Sequence, residues 1–168
     1  MRAVFGFVPI VALFTACGAP PAPPAPKPSP TFDQVAADLA AHRAHEDYVT
    51  AINANSLDQL LGVLTEDVVF MAPGEPPMVG KAAVRPWLER YVKAFKTHWD
   101  KPVSEFVIAG EWAFERYSYK STDTPHAGGP AVVDSGWGLV IYHRDSDGKW
   151  RVARDAWGAD HVPGPARK

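Results

Sequence analysis

The sequence predicts an α+β domain in which helices come first and an antiparallel sheet follows. Two patterns carry this reading. Apolar residues at helical spacing run up to about residue 97, and from residue 98 onward four runs rich in aromatic and β-branched residues are separated by turn signals. That order, helices and then hairpin-connected strands, is the mark of α+β architecture rather than of alternating βαβ units. A third feature sets the domain's limits: seven of the twelve residues 19–30 are proline, so this stretch can be neither helix nor central strand. The folded domain is therefore expected over 31–160, with 161–168 as a C-terminal tail.

Within the domain, Thr31-Phe32-Asp33-Gln34 forms a capping box and opens a helix of about 22 residues. Val35, Leu39, His42, Val49 and Ile52 mark one face of it. Asn53-Ala54-Asn55 breaks the helix, and Ser56-Leu57-Asp58-Gln59 is a second capping box, opening a short helix with Leu57, Leu60, Leu61 and Leu64. Val68 to Ala72 reads as a strand ended by the turn Pro73-Gly74-Glu75-Pro76-Pro77. Gly80 starts a third helix with Val84, Trp87, Leu88, Tyr91, Val92 and Phe95 on one stripe, and Pro86 marks its first turn or kinks it. The strands expected after it are Val103–Ala109, Trp112–Ser121, Val132–Arg144 and Trp150–Trp157.

Composition excludes several function classes. A net charge of −2 in 168 residues, with pI near 6.3, leaves no basic footprint for nucleic acid. One cysteine excludes an internal disulfide and any paired-cysteine zinc or redox site. Neither Gly-x-Gly-x-x-Gly, a Walker loop nor Gly-x-Ser-x-Gly occurs, and no cofactor is expected. His42, His45 and Glu46 share one helix face, but their order does not match a zinc-protease helix; a solvated surface is expected there and no metal site.

The N-terminus carries an address. Arg2 precedes an apolar run, Ala3 to Phe14, too short to span a membrane but suited to a secretory signal over 1–16. Leu13-Phe14-Thr15-Ala16 followed by Cys17 resembles a bacterial lipoprotein signal, which implies lipidation of Cys17 as the new N-terminus; the alternative is an ordinary signal peptide that leaves a free thiol. The residues 17–30 then act as a semi-rigid tether in polyproline II, at about 3.1 Å per residue. Gly18 lacks the acidic residue associated with inner-membrane retention, so the resemblance implies an outer membrane facing the periplasm, or the outer face of the plasma membrane in a Gram-positive host.

Three strings in order, Tyr48-Val49-x-Ala51-x-Asn53-Ala54-x-x-Leu57-Asp58, Glu66-Asp67-Val68-Val69-Phe70 and Gly80-x-x-Ala83-Val84, resemble the SnoaL-like, ketosteroid-isomerase-like branch of the nuclear transport factor 2 superfamily. The closing segment Asp147-Gly148-Lys149-Trp150-Arg151-Val152-Ala153-Arg154-Asp155-x-Trp157 resembles a bacterial subfamily of it without assigned function. The resemblance covers residues 33–160. It implies a cone-shaped fold, three N-terminal helices on a curved antiparallel sheet, which encloses a pocket and hosts both enzymes and binders. Of the isomerase's three catalytic parts, Tyr48 falls on the tyrosine position, whereas the base falls on Ala72 and the oxyanion aspartic acid near Val140. Steroid isomerisation by that route is not expected.

Pocket contributors expected from this placement are Tyr48, Met71, Trp87 and Tyr91. Strand alternation leaves two faces to choose from, and the inward one is taken to carry Glu115, Tyr117, Asp155 and Trp157. The first reading is a lipid-anchored domain that binds a small, mostly apolar molecule. A cofactor-free acid–base enzyme is the second; it requires a buried, perturbed Glu115 or Asp155 beside Tyr48. Alternatively these carboxylates pair with Arg116, Arg151 or Arg154 on a solvated sheet face. A third reading is a dimeric assembly module: the outer sheet face often pairs with a second copy in this fold, so Trp99, Trp112 and Trp137 are candidates for a homodimer interface.

Overall fold

A computed structural model describes residues 32–160, with side chains from Val35 onward. The signal segment, Cys17, the proline-rich tether, Thr31 of the first capping box and the tail 161–168 lie outside the described residues. Three helices, α1 (Phe32–Asn53), α2 (Leu57–Gly62) and α3 (Lys81–Ala94), pack on a seven-stranded sheet. The strands are β1 (Leu64–Met71), β2 (Met78–Val79), β3 (Phe95–Asp100), β4 (Val103–Ala109), β5 (Trp112–Pro125), β6 (Val132–Arg144) and β7 (Trp150–Ala159).

The sheet order is β2-β1-β7-β6-β5-β3, with β4 also paired to β5. All pairings are antiparallel except β1 with β7, which run parallel. A parallel pair needs a long crossover, and here the crossover is α3 together with β3 to β6. The long strand β5 bridges two partners, since Trp112–Tyr117 pair with β4 and Lys120–Pro125 with β3.

Helix α1 has the expected length but turns a different face inward. Ala41, Ala44, Tyr48 and Ala51 are buried, while Val35 and Leu39 are exposed. Small alanines let the helix sit close on the sheet, so the contact stripe follows residue size rather than hydrophobicity. In α2, Ser56 caps through its side chain, which accepts from the Gln59 amide. Leu64 opens β1 instead of extending that helix. Pro86 lies inside α3 rather than in its first turn. Phe95, the last residue of the α3 stripe, already belongs to β3, a strand the sequence pattern had merged with the helix.

Alternation along β5 is unbroken from Trp112 to Ser121: Ala113, Glu115, Tyr117, Tyr119 and Ser121 are buried, and the residues between them face solvent. Cross-strand rows follow from the register. One row runs Phe70, Asp155, Val140, Glu115, Phe106 from β1 to β4, and the next includes Trp157, Gly138 and Tyr117. Gly138 leaves an empty place in its row. The Tyr117 ring fills it, and a Cβ at Gly138 would overlap that tyrosine's hydroxyl and ring carbon as well as the Ala156 carbonyl. A glycine inside a strand here marks a close approach, not a weak point.

Candidate active site

The concave sheet face and the three helices enclose a cavity of about 350 Å³, within the range of roughly 300–1,000 Å³ common for small-molecule sites. Helix α3 supplies Trp87 and Tyr91, whose rings stack at 5.6 Å with an interplanar angle of 5°. Trp157 from β7 meets Trp87 edge-on at 6.0 Å, and Trp99 from β3 meets Trp157 edge-on at 6.5 Å. Phe70 closes the same wall against Trp157.

Among the aromatic rings sits Asp155. It is 3% exposed and faces the cavity. Tyr48 donates its hydroxyl to Asp155 Oδ2 at 2.7 Å, and Tyr117 donates to Oδ1 at 3.0 Å. Burial raises the Asp155 pKa above the ordinary aspartate value, outweighing the Lys101 charge and the two tyrosine hydrogen bonds, which favour the anion. The same burial, with the Asp155 charge beside them, pushes both tyrosine hydroxyls upward, so they remain protonated donors.

Glu115 points to the same side of the sheet but does not reach the cavity. It is fully buried one layer behind, where Lys101 Nζ donates to Oε1 at 2.8 Å, Tyr142 donates to Oε2 at 2.7 Å and His45 Nδ1 lies 2.9 Å from Oε2. A carboxylate only accepts, so His45 carries its proton on Nδ1. Burial works against ionisation of Glu115, but the His45 hydrogen bond and the charge and hydrogen bond of Lys101 overcome it and hold the carboxyl down to about 2. Lys101 lies 3.6 Å from the centroid of the Tyr117 ring and 5.1 Å from that of Tyr48. The buried cation thus supports, from behind, the two rings whose hydroxyls hold Asp155.

Five of the expected site residues fall on the cavity wall: Tyr48, Trp87, Tyr91, Asp155 and Trp157. Tyr117 stands just behind Asp155. Glu115 is corrected to a structural role, because its partners are a buried lysine and histidine and not arginines on a wet face. Met71 is also corrected: β1 turns Val68 and Phe70 inward, and Ala72, just past its end, also faces in, so Met71 is 42% exposed on the outer side. Trp99 belongs to the cavity, stacked on Tyr119 at 4.6 Å, while Trp112 and Trp137 are exposed on the outer sheet face. His42 and Glu46 are exposed, as a solvated helix face requires, with His42 also packed on Phe106 at 4.2 Å between ring centroids, whereas His45 departs from that expectation and is half-buried on Glu115. Among the described residues, no three histidine, cysteine or acidic side chains gather as a metal site.

Lys101 and Asp123 were not singled out by the sequence. A lone lysine between Asp100 and Pro102 has the look of a solvated turn. Asp123 sits where a loop was expected, and only the extension of β5 to Pro125 brings it to the cavity, where it accepts from Tyr91 at 2.7 Å and from Thr97. Ala72 lines the cavity without a functional group, and Val140 is buried in the row next to Asp155. The carboxyl of this site is therefore one strand away from the position that the isomerase resemblance marks.

The pH dependence of stability follows from Glu115. Its folded-state pKa is depressed, so its contribution is present above the ordinary value of 4.5 and is lost as pH falls toward about 2. Glu115→Gln should give a flatter urea-midpoint profile across that window than the unaltered chain, alongside a lower midpoint near neutral pH; parallel profiles would contradict the assignment.

Comparison with known proteins supports the fold independently. The sequence profile described as a SnoaL-like domain matches residues 45–153. A ketosteroid isomerase-like protein from Erwinia carotovora atroseptica is 24% identical, covering 74% of this chain and 96% of its own, with a TM-score of 0.67. A conserved protein from Planctomyces limnophilus is 27% identical over 74% of this chain and 98% of its own, also at 0.67. A nuclear transport factor 2-like superfamily protein from Salmonella enterica is 13% identical, covers 80% and 98%, and has a TM-score of 0.66. No curated protein matches the chain in sequence. With three N-terminal helices on a mostly antiparallel sheet and a family match over most of that domain, the chain belongs to the SnoaL-like domain family.

Proposed function

We propose that the domain binds a small, mostly apolar molecule in the conical cavity and moves a proton on it with Asp155. The observation that carries this reading is the position of Asp155: a buried carboxyl with a raised pKa, facing an aromatic cavity and held by Tyr48 and Tyr117. A purely non-catalytic binder has no need of such a group. As the Asp155 carboxylate takes a proton from a carbon next to a carbonyl, the electron pair of the broken C–H bond moves to the carbonyl oxygen. Protonated Asp155 is a poorer acceptor, so the Tyr48 hydroxyl is released to donate to that developing oxyanion. The proton then returns to another carbon of the same molecule, or the enolate re-forms its carbonyl and a new C=C bond as a β-hydroxyl takes the Asp155 proton and departs as water.

The direct test uses a simple carbon acid of suitable size, 2-tetralone in heavy water, with deuterium uptake read by NMR. The chain should accelerate exchange, and Asp155→Asn should reduce the acceleration by about 10²–10⁴-fold. Equal rates for the two proteins would contradict the role of Asp155.

The same proposal includes the location and the assembly. Lipidation at Cys17 would hold the domain at the cell envelope on its proline-rich tether, and Cys17→Ala should then move it from the membrane fraction to the soluble fraction; an unchanged membrane fraction contradicts lipidation. Trp112, Phe114, Trp137 and Leu139 leave an exposed apolar surface on the outer sheet face, which supports a homodimer there. Trp137→Asp should halve the mass measured by light scattering. A monomeric unaltered chain would contradict the pairing.

A further inference from the structure

The cavity has a charge asymmetry that its apolar walls conceal. Four carboxylates line it, those of Glu75, Asp123, Asp134 and Asp155, and among the described residues no lysine, arginine or histidine does. The nearby Lys101 lies behind the Tyr48 and Tyr117 rings and is committed to Glu115 at 2.8 Å. Neither Asp123 nor Asp155 forms a salt bridge with any described residue.

The two aspartates are held differently. Asp155 has a tyrosine hydroxyl on each oxygen. Asp123 receives both of its donors, Tyr91 and Thr97, on Oδ1, so Oδ2 accepts no hydrogen bond from the described residues. That second oxygen is left to water or to a donor carried by a ligand. Its donor Tyr91 stacks on Trp87, Trp87 meets Trp157 edge-on and Trp157 meets Trp99 edge-on, so the rings that line the cavity with Asp123 form one contiguous box. Aromatic faces attract a cation through their quadrupole when it lies within about 6 Å of the ring centroid. Carboxylate and rings together disfavour an anion and favour a cation over a neutral group of the same size.

We propose that the ligand of this cavity is an organic cation, an apolar body carrying an ammonium group, with Asp123 Oδ2 as the ion-pair partner and the tryptophan–tyrosine box as the cage. The proposal rests on the cavity being a small-molecule site and specifies the chemical class that it takes. In the binding mode, the ammonium group sits between Asp123 and the rings, and the apolar body extends toward Phe70 and Asp155.

Three probes of similar size separate the possibilities on the full chain in detergent: 2-phenylethylamine, which is cationic at neutral pH, neutral 2-phenylethanol and anionic 3-phenylpropanoate. Calorimetry and tryptophan fluorescence both report, because three tryptophans wall the cavity. The amine should bind at least about tenfold tighter than the alcohol, and the propanoate weakest of the three. Asp123→Asn preserves an acceptor for Tyr91 and Thr97, and should bring the amine within about threefold of the alcohol while leaving alcohol binding in place. If the alcohol binds as tightly as the amine, or the amine's preference survives in Asp123→Asn, the cation proposal falls while the small-molecule site stands. If none of the three binds, the small-molecule reading falls and takes the cation proposal with it. The probe series on the unaltered chain decides the ligand class even if the variant does not fold.

Discussion

The arrangement of this domain depends on one buried ion pair. Lys101 and Glu115 have no exposed side-chain surface, and a charge in that position is costly unless it is closely paired and its remaining hydrogen-bonding capacity is met. The pair is close, at 2.8 Å, and the other acceptor sites of Glu115 are filled. Glu115 accepts from Lys101, His45 and Tyr142, and the ammonium group of Lys101 also lies over the Tyr117 ring. Removing one member of such a pair generally costs about 3–5 kcal/mol, because the other charge is left buried without a partner. The pair joins α1, the β3–β4 connection, β5 and β6 at one point, so the helix that carries Tyr48 is tied to β5, the strand that carries Tyr117.

From that anchor the site is built outward. Lys101 supports the rings of Tyr48 and Tyr117, these tyrosines hold both oxygens of Asp155, and Asp155 faces the cavity. The layers also divide the acidic residues by task. Glu115 is kept ionised by its partners, while Asp155, with only neutral donors in contact, has its pKa raised by burial. Two carboxyls on one sheet face thus have opposite shifts, and the one with the raised pKa is the one that lines the cavity. Gly138 belongs to the same construction, since its missing side chain gives Tyr117 the room to lean toward Asp155.

The architecture was legible where patterns are long. The β4, β5, β6 and β7 runs and the α3 stripe stand out because aromatic and β-branched residues alternate, or recur at helical spacing, over many positions. The inward placement of Glu115, Tyr117, Asp155 and Trp157 was also correct, although alternation alone offers two equivalent faces; Gly136 and Gly138, alternating in β6 opposite Tyr119 and Tyr117, are the signal that favours one of them. Less could be read where elements join. Phe95 satisfies both the end of a helical stripe and the start of β3, and the contact face of α1 is made of alanines that carry little hydrophobic signal. Lys101 and Asp123 were invisible for a different reason. Their roles come from tertiary partners at distant positions in the chain, and nothing local separates them from surface charges.

Proton transfer in this cavity depends most directly on the state of Asp155. A carbon-13 NMR titration of the aspartate carboxyls, with Asp155 assigned by loss of its signal in Asp155→Asn, would measure it. Asp155 should titrate above the ordinary aspartate value of 3.8, since burial outweighs the donors around it. Titration at or below 3.8 would mean that Asp155 is a solvated or purely structural carboxylate, and would contradict the proposed proton transfer.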